Sequence, residues 1–214
     1  MRHYFGVSLA FVIALSSGSA FGAQATPDCR GFDPKADQSM KVWSQPAARA
    51  CTPKVKTIAG VAYLLPDPDC TPGAINPTLK VSVLKKPGFR TACERNKATS
   101  ADAKNNTYDW YDINHPSNNT AATQTCELDH LISIEIGGAD TLDNIWPQCG
   151  PRNVVLAKRF FKQKDDVENY LAARVRAGTI RLEDAQAAIA KDWTRYINDA
   201  NAYYRSHKRR NNGG

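Results

Sequence analysis

The chain has 214 residues, 42% of them hydrophobic, and carries 28 Lys and Arg against 21 Asp and Glu, a formal net charge of +7. That length and apolar content suit one folded domain, or one domain with an appendage, and exclude a chain too polar to bury a core. Residues 152–214 hold 14 basic against 7 acidic side chains, while residues 24–151 hold 13 against 14, so the basic excess sits in the C-terminal third and suits a polyanionic partner such as DNA or RNA.

The first segment reads as a Sec-type signal peptide over residues 1–22. Arg2 and His3 form a basic start, Phe5 to Leu15 is mostly apolar, and Ser16 to Ala23 is rich in small residues. Cleavage after Ala20 or Gly22 fits that pattern, and the apolar run is too short for a bilayer span. A secreted or periplasmic protein with no membrane attachment in its mature form is expected.

Residues 23–99 read as a loop-rich region with short strands. One strand is expected over Ile58 to Leu65 and another over Val81 to Leu84, with turns at Asp67-Pro68-Asp69, Pro72-Gly73 and Pro87-Gly88. All six cysteines, at 29, 51, 70, 93, 126 and 149, follow the signal. An even count in an exported chain favours disulfides, and without a Cys-x-x-Cys pair a structural zinc site is not expected. Six cysteines allow 15 pairings. The simplest is sequential: 29 with 51, 70 with 93, and 126 with 149.

Ser100 to Thr125 is polar and reads as a long loop. The aromatic-acidic island Asp109-Trp110-Tyr111-Asp112 within it is expected to pack over the site or to cover the core. That stretch is Cys126 to Asn153. A strand ends in Asp129-His130, a Gly137-Gly138 turn follows, and Ile145-Trp146-Pro147 forms a second apolar run. Gly150-Pro151 is a good helix start, because Pro is tolerated at the first helical position. The pattern from Pro151 to Ala177 is helical, with Leu156, Phe160, Val167, Leu171 and Val175 on one stripe and Gly178 as the stop. A second helix is expected from about Leu182 to Tyr204, with Leu182, Ala185, Ile189, Trp193, Tyr196 and Ala200 on its stripe. Residues 207–214 read as a basic, flexible tail.

The stretch around Asp129-His130 resembles the HNH, or ββα-metal, nucleases. In that family an Asp-His pair ends the first strand, an Asn follows the Gly-Gly turn, and a His or Asn sits early in the helix. Those positions fall here on Asp129, His130, Asn144 and Asn153. The segments KDDVENYL, AGTIRLEDAQAAIAKDW and CTPGAINP are similar to a branch of small secreted bacterial proteins carrying the motif, so the resemblance spans roughly Cys70 to Tyr196. It implies an α+β fold: a ββα-metal motif with a C-terminal helical hairpin, over residues 100–206, and a loop-rich, disulfide-stapled N-terminal region. It departs from the family at Ser133, where many members have Pro.

The implied activity is metal-dependent hydrolysis of phosphodiester bonds in DNA, or in RNA, with low sequence specificity, by a monomer. His130 is the candidate general base, since an imidazole with a pKa near 6.5 takes a proton from water at neutral pH. Asp129 and Asn153 are the candidate ligands of one divalent metal ion. Their hard oxygens suit Mg²⁺ first, with Mn²⁺ or Ca²⁺ as alternatives. Adjacent strand residues point to opposite faces, so Asp129 and His130 can share a site only where the strand ends or twists. Asn144 is assigned to bridging the loop that carries His130. Glu127 is a candidate to support the metal or to pair with a nearby cation. Arg152, Lys158, Arg159, Lys162 and Lys164 are candidates to hold the nucleic-acid backbone, Lys164 first because it matches the Lys-Asp of the resembled branch. The alternative reading is a non-catalytic exported nucleic-acid-binding module on the same fold.

Overall fold

A computed structural model describes residues 28–32, 43–96 and 99–211, and the expected signal peptide lies outside these residues. The first elements are β1 (Lys54–Ile58) and β2 (Val61–Leu65), an antiparallel hairpin in the register Lys54↔Leu65 to Ile58↔Val61. The single strand expected over Ile58 to Leu65 is therefore two strands. Ala59 and Gly60 reverse the chain with φ of 48° and 80°, the left-handed pair that a two-residue hairpin turn requires.

Val81–Leu84 is a short helix, α1, and not the expected strand. Its valines alternate, but among the described residues it pairs with no strand. Its backbone N–H groups bond locally instead, Val83 and Leu84 to the Lys80 carbonyl and Lys85 to that of Val81. The expected loop after Ser100 contains α2 (Ala101–Trp110), which begins where the Ser100 hydroxyl accepts from the Ala103 N–H at 3.1 Å. The aromatic island at its end does not cover a site. Trp110 and Tyr111 are buried in a small core with Cys51, Cys70, Leu131 and Trp146, because their apolar rings find more cover there than a polar pocket offers.

β3 (Cys126–His130) and β4 (Ile145–Cys149) form a second antiparallel pair, in the register Cys126↔Cys149 to His130↔Ile145. α3 (Phe160–Arg176) then starts nine positions after Pro151. The helix expected at Pro151 begins late because the Phe160 N–H bonds the Gly150 carbonyl at 3.0 Å, which folds residues 151–159 into an excursion closed on itself. Within α3, Phe160, Val167, Leu171 and Val175 are buried as one stripe. Gly178 follows with φ of 74°.

The second expected helix is broken into α4 (Leu182–Asp192), a 3₁₀ turn over Trp193–Tyr196, and α5 (Ile197–Asn211). The break comes at Asp192, whose carboxylate accepts from the Thr194 N–H and hydroxyl, a local alternative to helix bonds. Leu182, Ala185, Ile189, Trp193 and Ala200 are nonetheless buried, and they form the main core with α3, Leu79, Leu84 and the Ile132–Ile136 loop. The first residues of the expected tail continue α5 to Asn211.

The fold is thus mixed α+β, with two small sheets and three disulfides. These pair Cys29 with Cys93, Cys51 with Cys70, and Cys126 with Cys149. Of the sequential guess only the last pair stands. Cys51 and Cys70 flank the β1–β2 hairpin, which brings them together and leaves Cys29 and Cys93 for each other across 64 positions. Among the described residues no helix is long and apolar enough to cross a membrane.

Candidate functional site

β3 ends at His130, and the chain turns there. Asp129 and His130 consequently line the same pocket of about 230 Å³, although they are neighbours on a strand. The turn is held by Asn144, which is fully buried. Its Oδ1 accepts from the Ile132 N–H at 2.9 Å, and its Nδ2 donates to the carbonyls of Ile132 at 2.9 Å and Ala139 at 2.7 Å. Three bonds from one amide thus fix both limbs of the loop between the strands. The Leu131 N–H adds a fourth, to the Asn144 carbonyl at 2.7 Å.

The same loop carries Asp140, which the sequence did not single out. Asp140 is fully buried and lies 2.8 Å from His130 Nε2. It also accepts from Lys104 Nζ at 2.8 Å and from the Asn96 N–H at 2.8 Å. Burial alone would raise its pKa, but the bonds from His130 and Lys104 outweigh that and hold the carboxyl well below the usual carboxylate range. An ionised carboxylate only accepts, so His130 carries its proton on Nε2, and Nδ1 is left as the ring's acceptor. Burial pushes the His130 pKa down, ahead of the opposing pull of Asp140, so the ring is neutral at neutral pH. A neutral imidazole with a defined tautomer, oriented by a carboxylate, can take a proton from water.

Five acidic side chains share the pocket with His130. Glu127 and Asp129 come from β3, Asp165 and Glu168 from α3, and Glu135 from the loop between the strands. Lys164 lies beneath them, fully buried. Its Nζ is 2.8 Å from Asp129 Oδ2, donates to the His130 carbonyl at 2.6 Å, and pairs with Glu168. Burial would lower the Lys164 pKa, but the two carboxylates hold it well above the usual lysine range. Burial raises the pKa values of Asp129, Glu127 and Glu168 in spite of this cation. Burial thus favours the neutral form of these carboxyls, and the Lys164 ammonium opposes it.

The candidate residues separate into those brought together and those left apart. Glu127, Asp129 and His130 share the pocket. Asn153 is exposed on the 151–159 excursion and does not line it, so the structure does not place it as the partner of Asp129. Lys164 cannot meet a nucleic-acid backbone from where it is buried. Nor can Arg159, 6% exposed, whose guanidinium is spent on the carbonyls of Ala122, Gln124 and Val154. Lys162 is half-exposed beside the pocket and pairs with Asp165 at 2.8 Å and Glu127 at 3.7 Å. Arg152 and Lys158 are exposed away from it.

In place of Asn153, α3 presents Asp165, Glu168 and Asn169 to the pocket. Their three- and four-residue spacing puts them on one helix face, a signal legible in the sequence. Arg95 and Thr91 also line the pocket, from the segment before α2. No local pattern marks them.

Among the described residues no group of three or more His, Cys, Asp or Glu side chains is set to hold a metal ion. Mg²⁺ does not require one, since it is commonly bound by one or two carboxylates and keeps several waters. The donor set fits such an ion. It is made of hard oxygens, and the buried Asp129 Oδ2 has no hydrogen-bond partner of good geometry despite its ion pair with Lys164. Asp129, Glu168 and Asn169 are the residues that would hold it. No protein-family model matches this chain, and neither a curated protein nor a solved structure matches it.

Proposed function

We propose that the chain is an exported, metal-dependent endonuclease that hydrolyses phosphodiester bonds of DNA, or of RNA, with low sequence specificity. The observation that carries the reading is the His130–Asp140 pair at the edge of a pocket lined by oxygen donors from β3 and α3. His130 accepts the proton of an attacking water at Nδ1. Asp140 keeps the other ring proton on Nε2 and steadies the imidazolium that forms. Asn144 holds the loop so that this ring keeps its aim. A divalent ion, Mg²⁺ first, would sit at Asp129, Glu168 and Asn169 and supply charge neutralisation on the phosphate and the leaving oxygen. The acidity of the pocket supports metal dependence, because a phosphate entering it meets carboxylates unless a cation intervenes. The basic C-terminal third supports a polyanionic substrate.

The test is digestion of supercoiled plasmid by the refolded, oxidised mature chain, in EDTA and with Mg²⁺, Mn²⁺ or Ca²⁺, beside His130→Ala. Cleavage restored by metal and lost in the variant is expected. Metal-dependent cleavage that persists in His130→Ala would overturn the assignment. One observation favours the second reading, a non-catalytic nucleic-acid-binding module. Lys164 already pairs with two of the carboxylates, so the pocket has an internal cation of its own. That reading predicts salt-dependent DNA binding and no cleavage with any of these metals.

A further inference from the structure

We infer that the side of this pocket formed by Arg95, Ser133 and Thr91 is a binding site for a phosphate group. The inference rests on the nuclease reading for the identity of that phosphate, the diester addressed by His130, and on the pocket itself for everything else.

Ser133 is the first ground. It is 4% exposed and lines the pocket, and its Oγ has no hydrogen-bond partner among the described residues. It stands at the cap position of the Ile134–Ile136 3₁₀ turn, yet its side chain makes no capping bond. Buried hydroxyls are nearly always bonded, so one left without a partner at the wall of a polar pocket marks the place of a missing acceptor or donor. Arg95 is the second ground. Its side chain is 51% exposed and lines the same pocket, with Nη1 3.4 Å from His130 Nε2. Its nearest carboxylate, Asp140, is 3.5 Å away and already accepts from His130, Lys104 and the Asn96 N–H. A guanidinium has five N–H donors in a planar fork. A long contact to a carboxylate engaged on three other sides leaves most of that fork without a protein acceptor, on a side chain that lines the pocket, and the fork matches two phosphate oxygens at once.

Charge then sets the direction of entry. The β3–α3 side, with Glu127, Asp129, Asp165 and Glu168, repels an anion, whereas Arg95 attracts one; Glu135, two residues after Ser133, is the pocket-lining carboxylate from the loop between the strands, and it pairs with Arg176 at 4.0 Å. His130 touches both sides, through its neighbour Asp129 and through Arg95. A phosphate on Arg95 and Ser133 therefore lies beside the proposed base and faces the proposed metal ligands. The segment that carries Arg95 is fixed in advance. Cys93 is bonded to Cys29, and the Asn96 N–H is bonded to Asp140. Little ordering is left for the moment of binding.

The experiment uses the full oxidised chain and two readouts. The first is binding of inorganic phosphate in EDTA, followed by ¹H–¹⁵N NMR titration. The second is cleavage of a short oligonucleotide with Mg²⁺, resolved into kcat and KM. Arg95→Gln should weaken phosphate binding at least about tenfold and lower kcat/KM about 10²-fold. Arg95→Lys should recover part of both, since it keeps the charge and loses the fork. Ser133→Ala should weaken phosphate about fivefold while Tm stays level or rises, because the variant removes an unsatisfied hydroxyl and no protein contact. Equal phosphate binding by wild type, Arg95→Gln and Ser133→Ala would overturn the site, and plasmid cleavage would still stand as a nuclease activity. Phosphate binding that depends on Arg95, in a wild type that cleaves nothing, would uphold the site and remove the nuclease reading.

Discussion

Replacing Asp140 with Asn tests whether His130 is an oriented base. Asp140 receives three donors at 2.8 Å: His130 Nε2, Lys104 Nζ and the Asn96 N–H. An amide offers one oxygen, so its NH₂ must face at least one of these donors. If it faces His130, Nε2 becomes the acceptor, the proton moves to Nδ1, and the ring can no longer take a proton there. That position, Oδ1, also receives Lys104, so the ammonium then meets a donor too; an NH₂ at Oδ2 instead meets the Asn96 N–H, and the loop shifts. By analogy with the Asp-to-Asn change in serine-protease triads, kcat should fall by about 10²- to 10⁴-fold. That is roughly 3–5 kcal/mol of barrier. Stability should fall as well, because a buried pair loses one partner. The cost is about 3–5 kcal/mol for a fully buried pair, and less here because Lys104 is 19% exposed. For a chain of this size each kcal/mol lowers Tm by about 2–4 °C. The assay is initial cleavage rate with saturating Mg²⁺, well below the measured Tm of the variant. A folded Asp140→Asn whose kcat stays within threefold of wild type would refute the reasoning. The pH dependence of stability gives a second check. The folded pKa of Asp140 lies below the unfolded value of about 3.9, so its stabilisation is present above that value and is lost as pH falls through the folded pKa. The Tm gap between wild type and variant should hold from pH 7 to pH 5 and narrow below about pH 4.

Three more outcomes are expected. Lys164→Met leaves Asp129 and Glu168 buried with no ammonium between them, so it should cost about 3–5 kcal/mol. Differential scanning fluorimetry should show added Mg²⁺ recovering more Tm in this variant than in wild type, and no recovery would count against a cation at this pocket. Gly138→Ala would put a Cβ 1.8 Å from the Ile132 carbonyl oxygen and 2.6 Å from its carbon, both backbone, so the loop between His130 and Asn144 must move. A loss of about 3 kcal/mol or more by urea titration is expected, together with loss of cleavage. Peptide mapping without reduction should find Cys29–Cys93, Cys51–Cys70 and Cys126–Cys149. Recovery of a Cys29–Cys51 or Cys70–Cys93 peptide would refute this connectivity.

Helix periodicity was the most legible signal. The stripes of α3 and α4 are long, and burial of one apolar face is what makes such helices stable, so the spacing of Val167, Leu171, Ala185 and Ile189 reports the packing directly. The strand end at Asp129-His130 was legible for a similar reason, since the glycines that follow mark a turn. Burial on α2 is confined to a few residues, Thr107, Tyr108 and Trp110, which is too little for a pattern to show. The late start of α3 depends on one bond from Phe160 back to Gly150, and nothing in the helical pattern reports it. The disulfides depend on which elements meet: Cys51–Cys70 and Cys126–Cys149 each close an antiparallel strand pair, but pairing the cysteines in order from Cys29 splits the first of these. Asp140 and Arg95 escaped because His130, which both approach, is 10 and 35 positions away from them. A charged residue in a polar loop carries no local mark of such a partner.

The long-range contacts show how the site depends on the whole fold. Arg95 and Asn96 precede position 99 and Lys104 follows it, and all three converge on Asp140, the carboxylate that orients His130. The N-terminal region therefore supplies part of the electrostatic setting of the β3–β4 loop. Within that region the Cys29–Cys93 disulfide, two residues before Arg95, braces the segment that carries Arg95 and Asn96. On the proposed reading, a chain with reduced cysteines would lose both the Cys126–Cys149 link between β3 and β4 and the brace on the segment that carries Arg95. Oxidation would then complete the pocket, and export before oxidation, as the proposed reading has it, would separate the active form from the nucleic acid of the cell that makes it.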